Sequence, residues 1–145
     1  MTDMAAAMGL VQFERYPTLL ARRRQLVERY DEALAPYGVV GLPHYADDYS
    51  SSGHLYICRV SGIDADGRNR IIEHMAEEGV ACNVHYKPLP MMTAYKAIGY
   101  DIADFPNAYA QFANEVTLPL HTCLTDEQQE YVIGCFVDAI QKVRA

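Results

Sequence analysis

The sequence of 145 residues predicts a small α+β fold, in which helices pack on an antiparallel or mixed sheet of three to four strands. Two runs of β-branched and aromatic residues, 54–60 and 80–86, have the composition of strands and flank a helical pattern over 66–78. Further helical patterns lie at both ends of the chain. A chain of this length can bury one core, so we expect a single domain over residues 1–145.

The N-terminal segment is predicted to be helical, in two parts that Pro17 separates. Residues 3–15 are rich in alanine, which is the strongest helix former. An apolar stripe recurs there at helical spacing and is formed by Met4, Met8 and Val11. Pro17 favours a kink or a new helix start, because proline suits the first helical turn. A long amphipathic helix with a strongly charged outer face then extends to Pro36.

The middle of the chain is predicted to contain a loop, two strands and a helix. Residues 36–53 carry prolines, glycines and the run DDYSSSG, and a loop of this length suggests a functional or interface role. HLYICRV (54–60) is the first strand. The helix over 66–78 ends before Gly79, a residue type suited to the position after a helix. VACNVHY (80–86) is the second strand.

The C-terminal part is predicted to contain a loop, a helix, a short strand and a last helix. Residues 88–106 form the loop, which carries a short helical piece, and Pro106 opens the next helix. VTLPL (116–120) is a short strand whose proline suits a strand end or edge. A Thr-x-x-Gln capping box at Thr125 begins the last helix. One face of that helix is apolar and comprises Val132, Phe136, Ala139, Ile140 and Val143.

Charge and cysteine usage argue against several classes of function. The net charge is −7, whereas nucleic-acid and anionic-membrane surfaces need clustered Lys and Arg. No stretch approaches the ~20 apolar residues of a membrane span, and no secretion signal is visible. The four cysteines form no Cys-x-x-Cys pair, which argues against zinc-ribbon and thioredoxin sites. A reducing cytoplasm is the predicted compartment.

His85 is the first candidate for a functional residue. By strand alternation it lies on the polar face of 80–86, whereas Tyr86 lies on the core face. An ordinary strand end facing water is the alternative. A metal site built from three histidines is a further interpretation that no ligand spacing supports; it would use His54, His85 and His121. Lys87 and Lys96 are chemically able to form Schiff bases, but surface lysines are the default.

Five segments, in this order, resemble the C-terminal part of the DegT/DnrJ/EryC1/StrS aminotransferases, which are sugar aminotransferases of fold type I that depend on pyridoxal phosphate (PLP). The segments are MTDMAAAMGLVQFERYPTLLARRRQLVERYDEAL, SSGHLYICRV, EEGVACNVHYKPLP, YKAIGY with DFPNAYAQFANEVTLPLH, and LTDEQQEYVIGCF. The resemblance covers essentially all 145 residues. It implies the small domain of that fold type, which covers the active site and helps to bind a nucleotide-sugar.

The resemblance also implies a reaction and a set of partners. An amino donor, commonly glutamate, loads the cofactor, and the amine passes to a keto-sugar attached to a nucleotide, in a homodimer with active sites at the subunit boundary. The family's Schiff-base lysine belongs to a large N-terminal domain, and neither Lys87 nor Lys96 matches it, so we expect no catalytic residue in this chain. His85 and Tyr86 match the family's Val-His-Tyr segment near the substrate, and Lys87 is a weaker substrate-binding candidate.

These implications lead to two expectations for the chain as given. The first is the C-terminal piece of a sugar aminotransferase, whether excised, truncated or half of a split enzyme, with no bound PLP and no activity alone. The second is a binding or regulatory module that associates with a separate large-domain chain. In either case we expect an exposed apolar surface and self-association through Met4, Met8, Val11, Met91 and Met92.

Overall fold

The computed structural model describes residues 1–145 and confirms the α+β class. Five strands form two antiparallel sheets: β1 (Val39–Gly41), β2 (Tyr45–Ala46), β3 (Tyr49–Ser50), β4 (Tyr56–Val60) and β5 (Glu115–Leu118). The main sheet has the order β1–β4–β5, and β2 pairs with β3 in a hairpin. Five helices accompany them: α1 (Asp3–Leu34), α2 (Ala65–Glu77), α3 (Thr93–Lys96), α4 (Pro106–Ala113) and α5 (Asp126–Arg144). Short 3₁₀ turns lie at Ala35–Tyr37, Leu89–Met91 and Ile102–Asp104.

α1 is one continuous helix of 32 residues, so the predicted new start at Pro17 is wrong. Proline removes one backbone hydrogen bond, and that local loss does not by itself end a helix whose neighbouring turns keep theirs. The Thr2 hydroxyl caps α1 by accepting a hydrogen bond from Ala5 N–H. Only the C-terminal half packs on the core; its buried residues are Leu26, Val27, Tyr30 and Leu34. The N-terminal half, including the predicted apolar stripe, is solvent-exposed.

The core lies between the main sheet and the helices α1, α2 and α5. The rings of Tyr30 and Tyr56 stack at its centre, with centroids 4.7 Å apart. Both hydroxyls find acceptors: Tyr30 donates to Pro119 O at 2.9 Å, and Tyr56 donates to Asp31 Oδ1 at 2.8 Å. Burial raises the pKa of both phenols, so both remain neutral donors at physiological pH. These bonds attach α1 to the sheet at a fixed register.

Helices α2 and α5 confirm the sequence patterns in detail. α2 buries Ile71 and Met75 completely, and Gly79 follows it with φ +74°, a conformation that glycine adopts without strain. Both hydrogen bonds of the capping box of α5 are present. The Thr125 hydroxyl accepts from the backbone N–H of Gln128, and the Gln128 side-chain oxygen accepts from the backbone N–H of Thr125. None of the helices combines the length and the apolar character needed to cross a membrane.

Two predictions about strands are wrong. The predicted loop over 36–53 contains β1 and the β2–β3 hairpin, which are too short to show an alternating pattern. The predicted strand over 80–86 makes a single isolated bridge, between Asn83 and Thr117 of β5. The segment has strand composition, but strand pairing requires a neighbouring backbone that continues beside it, and β5 does so at one position only.

Candidate functional site

The segment from Asn83 to Lys87 is anchored on the free edge of β5. Asn83 N–H donates to Thr117 O at 3.2 Å, and Thr117 N–H donates to Asn83 O at 2.8 Å. The next antiparallel pair along this edge would join His85 to Glu115. There the backbone N–H of His85 instead donates to the Glu115 carboxylate at 2.7 Å. A hydrogen bond to the Glu115 side chain therefore takes the place of the next backbone hydrogen bond, at the point where the chain leaves the sheet.

The imidazole of His85 is held by a second contact with β5. Its Nδ1 lies 2.9 Å from the Thr117 hydroxyl oxygen, and the ring is half-buried. The Tyr86 ring meets it edge-on, with centroids 4.8 Å apart. The peptide bond between the two residues is cis. Nε2 of His85 makes no hydrogen bond within the chain and is not a buried atom, so it is free to bind a ligand.

Tyr86 and Lys87 lie on the open side of His85. Tyr86 is 72% exposed, so the alternation that placed it on the core face is wrong, because the backbone pairs with β5 at Asn83 only and has left the sheet before Tyr86. Lys87 is exposed as well. The structure thus brings His85 and Tyr86 into contact and leaves Lys87 beside them in solvent.

Sequence reasoning missed Glu115, which is the most buried charged side chain at the site, with 2% exposure. Burial raises its pKa; the hydrogen bond from His85 N–H and the charge of Arg68 act in the opposite direction. Arg68 is itself buried, and burial lowers its pKa. Its guanidinium donates to Phe112 O at 3.1 Å and lies over the Phe112 ring. The available signal was a glutamate directly before the predicted strand VTLPL.

The raised pKa of Glu115 leads to a pH-dependent difference between the native chain and Glu115→Gln. The folded state holds this proton more tightly than the unfolded chain, so stability from protonation is gained as pH falls through the raised pKa and lost as pH rises above it. We expect the native chain to gain stability relative to Glu115→Gln as the pH falls from 7 toward the pKa of an ordinary glutamate. Urea unfolding of both proteins across this range measures the difference. Parallel pH curves would contradict it, and Glu73→Gln on the exposed side of α2 controls for the loss of one charge.

The structure does not support the interpretation as a metal site. No group of three or more His, Cys, Asp and Glu side chains is close enough together to hold a metal ion. His54 and His121 therefore do not join His85 in a ligand set.

The residues present also do not fit the requirements of PLP, which needs a lysine amine, donors for a phosphate and an acid at the pyridine nitrogen. Lys87, Lys96 and Lys142 are all exposed. A groove of about 410 Å³ between Val80 and Tyr131 has no lysine in its lining. A second, of about 300 Å³, contains Lys142 together with acidic Glu78 and Asp138, which disfavour a phosphate. We therefore derive no chemical step through PLP on this chain.

Comparison with known sequences gives one family. The model of the DegT/DnrJ/EryC1/StrS aminotransferase family matches residues 1–137. The chain is 31% identical over 144 residues to the spore coat polysaccharide biosynthesis protein SpsC of Bacillus subtilis, covering 97% of this chain and 37% of that protein. It is 29% identical over 140 residues to the dTDP-4-dehydro-2,3,6-trideoxy-D-glucose 4-aminotransferase of Saccharopolyspora spinosa, covering 96% and 34% of the two chains.

Solved structures give the same result. Spr1654 of Streptococcus pneumoniae, described as a sugar aminotransferase and solved in PLP, PMP and apo forms, is 51% identical with a TM-score of 0.93, covering 99% of this chain and 36% of its own. The aminotransferase TlmJ of Streptoalloteichus hindustanus is 32% identical with a TM-score of 0.86, covering 100% and 38%. The chain thus spans little more than a third of the length of these relatives. Because the family model matches almost its whole length, the chain belongs to the DegT/DnrJ/EryC1/StrS aminotransferase family.

Proposed function

We propose that this chain is the substrate-covering part, a single small domain over residues 1–145, of a PLP-dependent aminotransferase acting on a nucleotide-linked keto-sugar. Within it, His85 and Tyr86 bind the nucleotide-sugar, and Lys87 contributes a nearby positive charge. The observation that carries this proposal is the attachment of His85 at two points of β5, which leaves Nε2 free beside the exposed Tyr86 ring. Such a rigid polar group beside an aromatic surface suits a sugar with its hydroxyls and apolar ring face.

Catalysis requires groups that we place outside this chain. The lysine, phosphate donors and acid that PLP needs are not assembled here, so we infer that the chain binds substrate without turning it over. In the whole enzyme its role is to position the sugar and exclude water over the reacting centre, which a covering domain does by closing on the substrate. We also infer a homodimer for the whole enzyme and a reducing cytoplasm, in which its four free thiols persist.

The binding role is tested with dTDP-glucose, chosen because one relative is named for a dTDP-sugar. We expect the chain to bind this probe, and His85→Ala to weaken binding at least about tenfold through loss of one hydrogen bond and of the ring contact with Tyr86. Isothermal titration calorimetry measures both affinities. His74→Ala is the matched control, because the only hydrogen-bond partner of the His74 ring is Glu77 on the same helix, α2.

Three outcomes would contradict the proposal. The first is equal affinity of the native chain and His85→Ala, which would remove His85 from the binding surface. The second is no binding of dTDP-glucose or UDP-glucose at millimolar concentration. The third is release of a keto acid when the chain is supplied with PLP, glutamate and a keto-sugar nucleotide, which would place catalysis in this chain.

A second candidate function is a binding subunit that associates with a separate large-domain chain. The exposed apolar side chains of the first half of α1 favour it; they include Met4, Met8, Leu10, Val11 and Phe13. Apolar residues on several sides of one exposed helix are typical of a segment that another chain covers. Met92, in the loop before α3, is 38% exposed and adds a smaller apolar contact surface.

A further inference from the structure

We propose that Arg59 and Arg68 are positioning residues for the candidate site. They hold the C-terminal end of α4 and thereby place the Glu115 carboxylate against the backbone N–H of His85. The inference deepens the proposed function and rests on it for the identity of the ligand. Its structural part, the placement of one carboxylate and one backbone amide, is independent of any ligand.

The contact between Glu115 and His85 depends on the direction in which the chain leaves α4. Glu115 is the first residue of β5, and only Asn114 separates it from Ala113, the last residue of α4. The Glu115 carboxylate accepts the backbone N–H of His85, 30 residues away in sequence, at 2.7 Å. A change in the path of the chain at Asn114 would therefore move the carboxylate away from an amide that belongs to a distant segment.

The C-terminal end of α4 lacks a glycine cap. The last four carbonyls of a helix have no partners within it, and a left-handed glycine after the helix commonly brings the missing donors. α4 is followed instead by Asn114, at φ −124°. The last carbonyls of α4 must then find donors elsewhere in the fold, because unpaired backbone oxygens are costly in a packed region.

Arg59 and Arg68 supply such donors from two different elements. Arg59 of β4 donates to Ala110 O at 2.9 Å and to the Asn114 side-chain oxygen at 2.8 Å. Arg68 of α2 donates to Phe112 O at 3.1 Å, and its guanidinium carbon lies 4.7 Å from the centre of the Phe112 ring. Arginine suits this role, because its planar group presents several donors in a fixed geometry. The end of α4 is thus attached to both the main sheet and α2.

Strand register and charge connect both arginines to Glu115 itself. Arg59 stands directly opposite Glu115 in the pairing of β4 with β5. Arg68 and Glu115 are the two charged residues that the fold buries almost completely, with 3% and 2% exposure. An isolated buried charge is costly, so the loss of Arg68 would leave Glu115 without its buried counter-charge. We therefore expect the contact between Glu115 and His85 to weaken when either arginine is removed.

The test measures hydrogen exchange of the His85 amide in the whole ¹⁵N-labelled chain by NMR. The Leu42 amide, which donates to Ile57 O at 2.9 Å beside β1, is the reference for a general loss of stability. β1 lies at the opposite edge of the main sheet from β5. We expect Arg68→Met to speed His85 exchange roughly tenfold or more relative to Leu42, because the amide loses a hydrogen bond to a charged group.

Three further variants make the test specific. Arg59→Met removes the other attachment of α4 and is expected to act in the same direction, so it replaces Arg68→Met if that variant does not fold. Arg70→Met removes an exposed arginine from α2 and is expected to leave the relative rate unchanged. In a Glu115→Ala background, we expect the loss of either positioning arginine to change the relative His85 rate by no more than about twofold, because the arginines act through Glu115.

Binding of dTDP-glucose separates the inference from the function on which it rests. Arg68 is buried and has no surface to offer a ligand, yet we expect Arg68→Met to weaken binding about threefold or more, because the site loses its fixed geometry. Calorimetry on the native chain, Arg68→Met and Arg70→Met measures the effect, and Arg70→Met is expected to bind like the native chain.

Each outcome decides the inference or the function. An unchanged relative rate of His85 exchange in Arg68→Met and Arg59→Met overturns the inference, and so does an equal acceleration with and without Glu115. Equal affinity of the native chain and Arg68→Met for dTDP-glucose overturns it as well. If the expected exchange is found but the native chain binds neither dTDP-glucose nor UDP-glucose, the nucleotide-sugar function is refuted and the positioning of His85 by the arginines stands.

Discussion

Replacing Phe136 with alanine is expected to lower the free energy of unfolding by about 3–5 kcal/mol. The Phe136 ring on α5 is completely buried and belongs to the core cluster between the helices and the sheet. Removing it withdraws apolar surface from the core and leaves a cavity that the surrounding packed elements can fill only in part. Urea unfolding followed by circular dichroism measures the change, provided that the slope of the transition stays the same.

The matched control for Phe136→Ala lies on the same helix. Gln141 of α5 is exposed, and Gln141→Ala is expected to change the free energy of unfolding by no more than about 0.5 kcal/mol. A loss below about 1 kcal/mol for Phe136→Ala would show that α5 does not pack on the sheet as described. Such a result would also question the position of β5 and the site that it carries.

The second large effect concerns the exposed apolar stripe of α1, which we expect to drive self-association of the chain. Introducing lysine at all three positions of the predicted stripe should weaken self-association at least about a hundredfold. Each change replaces apolar area that association would bury with a charge that association would have to desolvate. The changes are Met4→Lys, Met8→Lys and Val11→Lys, at positions that are exposed in the single chain. Light scattering across a range of concentrations measures the mass of both proteins.

A control with equal added charge separates apolar contact from general repulsion. Ala5→Lys, Gly9→Lys and Gln12→Lys add three positive charges to exposed positions on another face of the same part of α1. We expect this variant to associate like the native chain. A native chain that remains monomeric at high concentration would refute the prediction and favour a different partner for α1.

The helices show how much of the fold could be predicted from local patterns. Spacing of apolar residues located α1, α2 and α5, and the capping box placed the start of α5 at the correct residue. These signals are carried by residues within one or two helical turns of each other, so the amino-acid sequence alone is enough to detect them. Pro17 was the exception, because whether a helix continues through proline depends on the stability of the turns around it.

The strands and the site show what could not be predicted in this way. β4 was found, but 80–86 has the same composition and makes only one bridge, since pairing depends on a partner that is distant in sequence. The candidate His85 and Tyr86 came from a local pattern and the family resemblance. Their burial and their partners came from β5, some 30 residues away.

The sequence by itself determined the α+β class, the main helices, the family and the segment in which the candidate site lies. Only the tertiary structure decided that backbone pairing with the sheet ends at Asn83 and that the side chains of Glu115 and Thr117 hold His85 in place. The physical reason is that periodicity and capping are properties of neighbouring residues, whereas a buried carboxylate acquires its role from donors that folding brings to it.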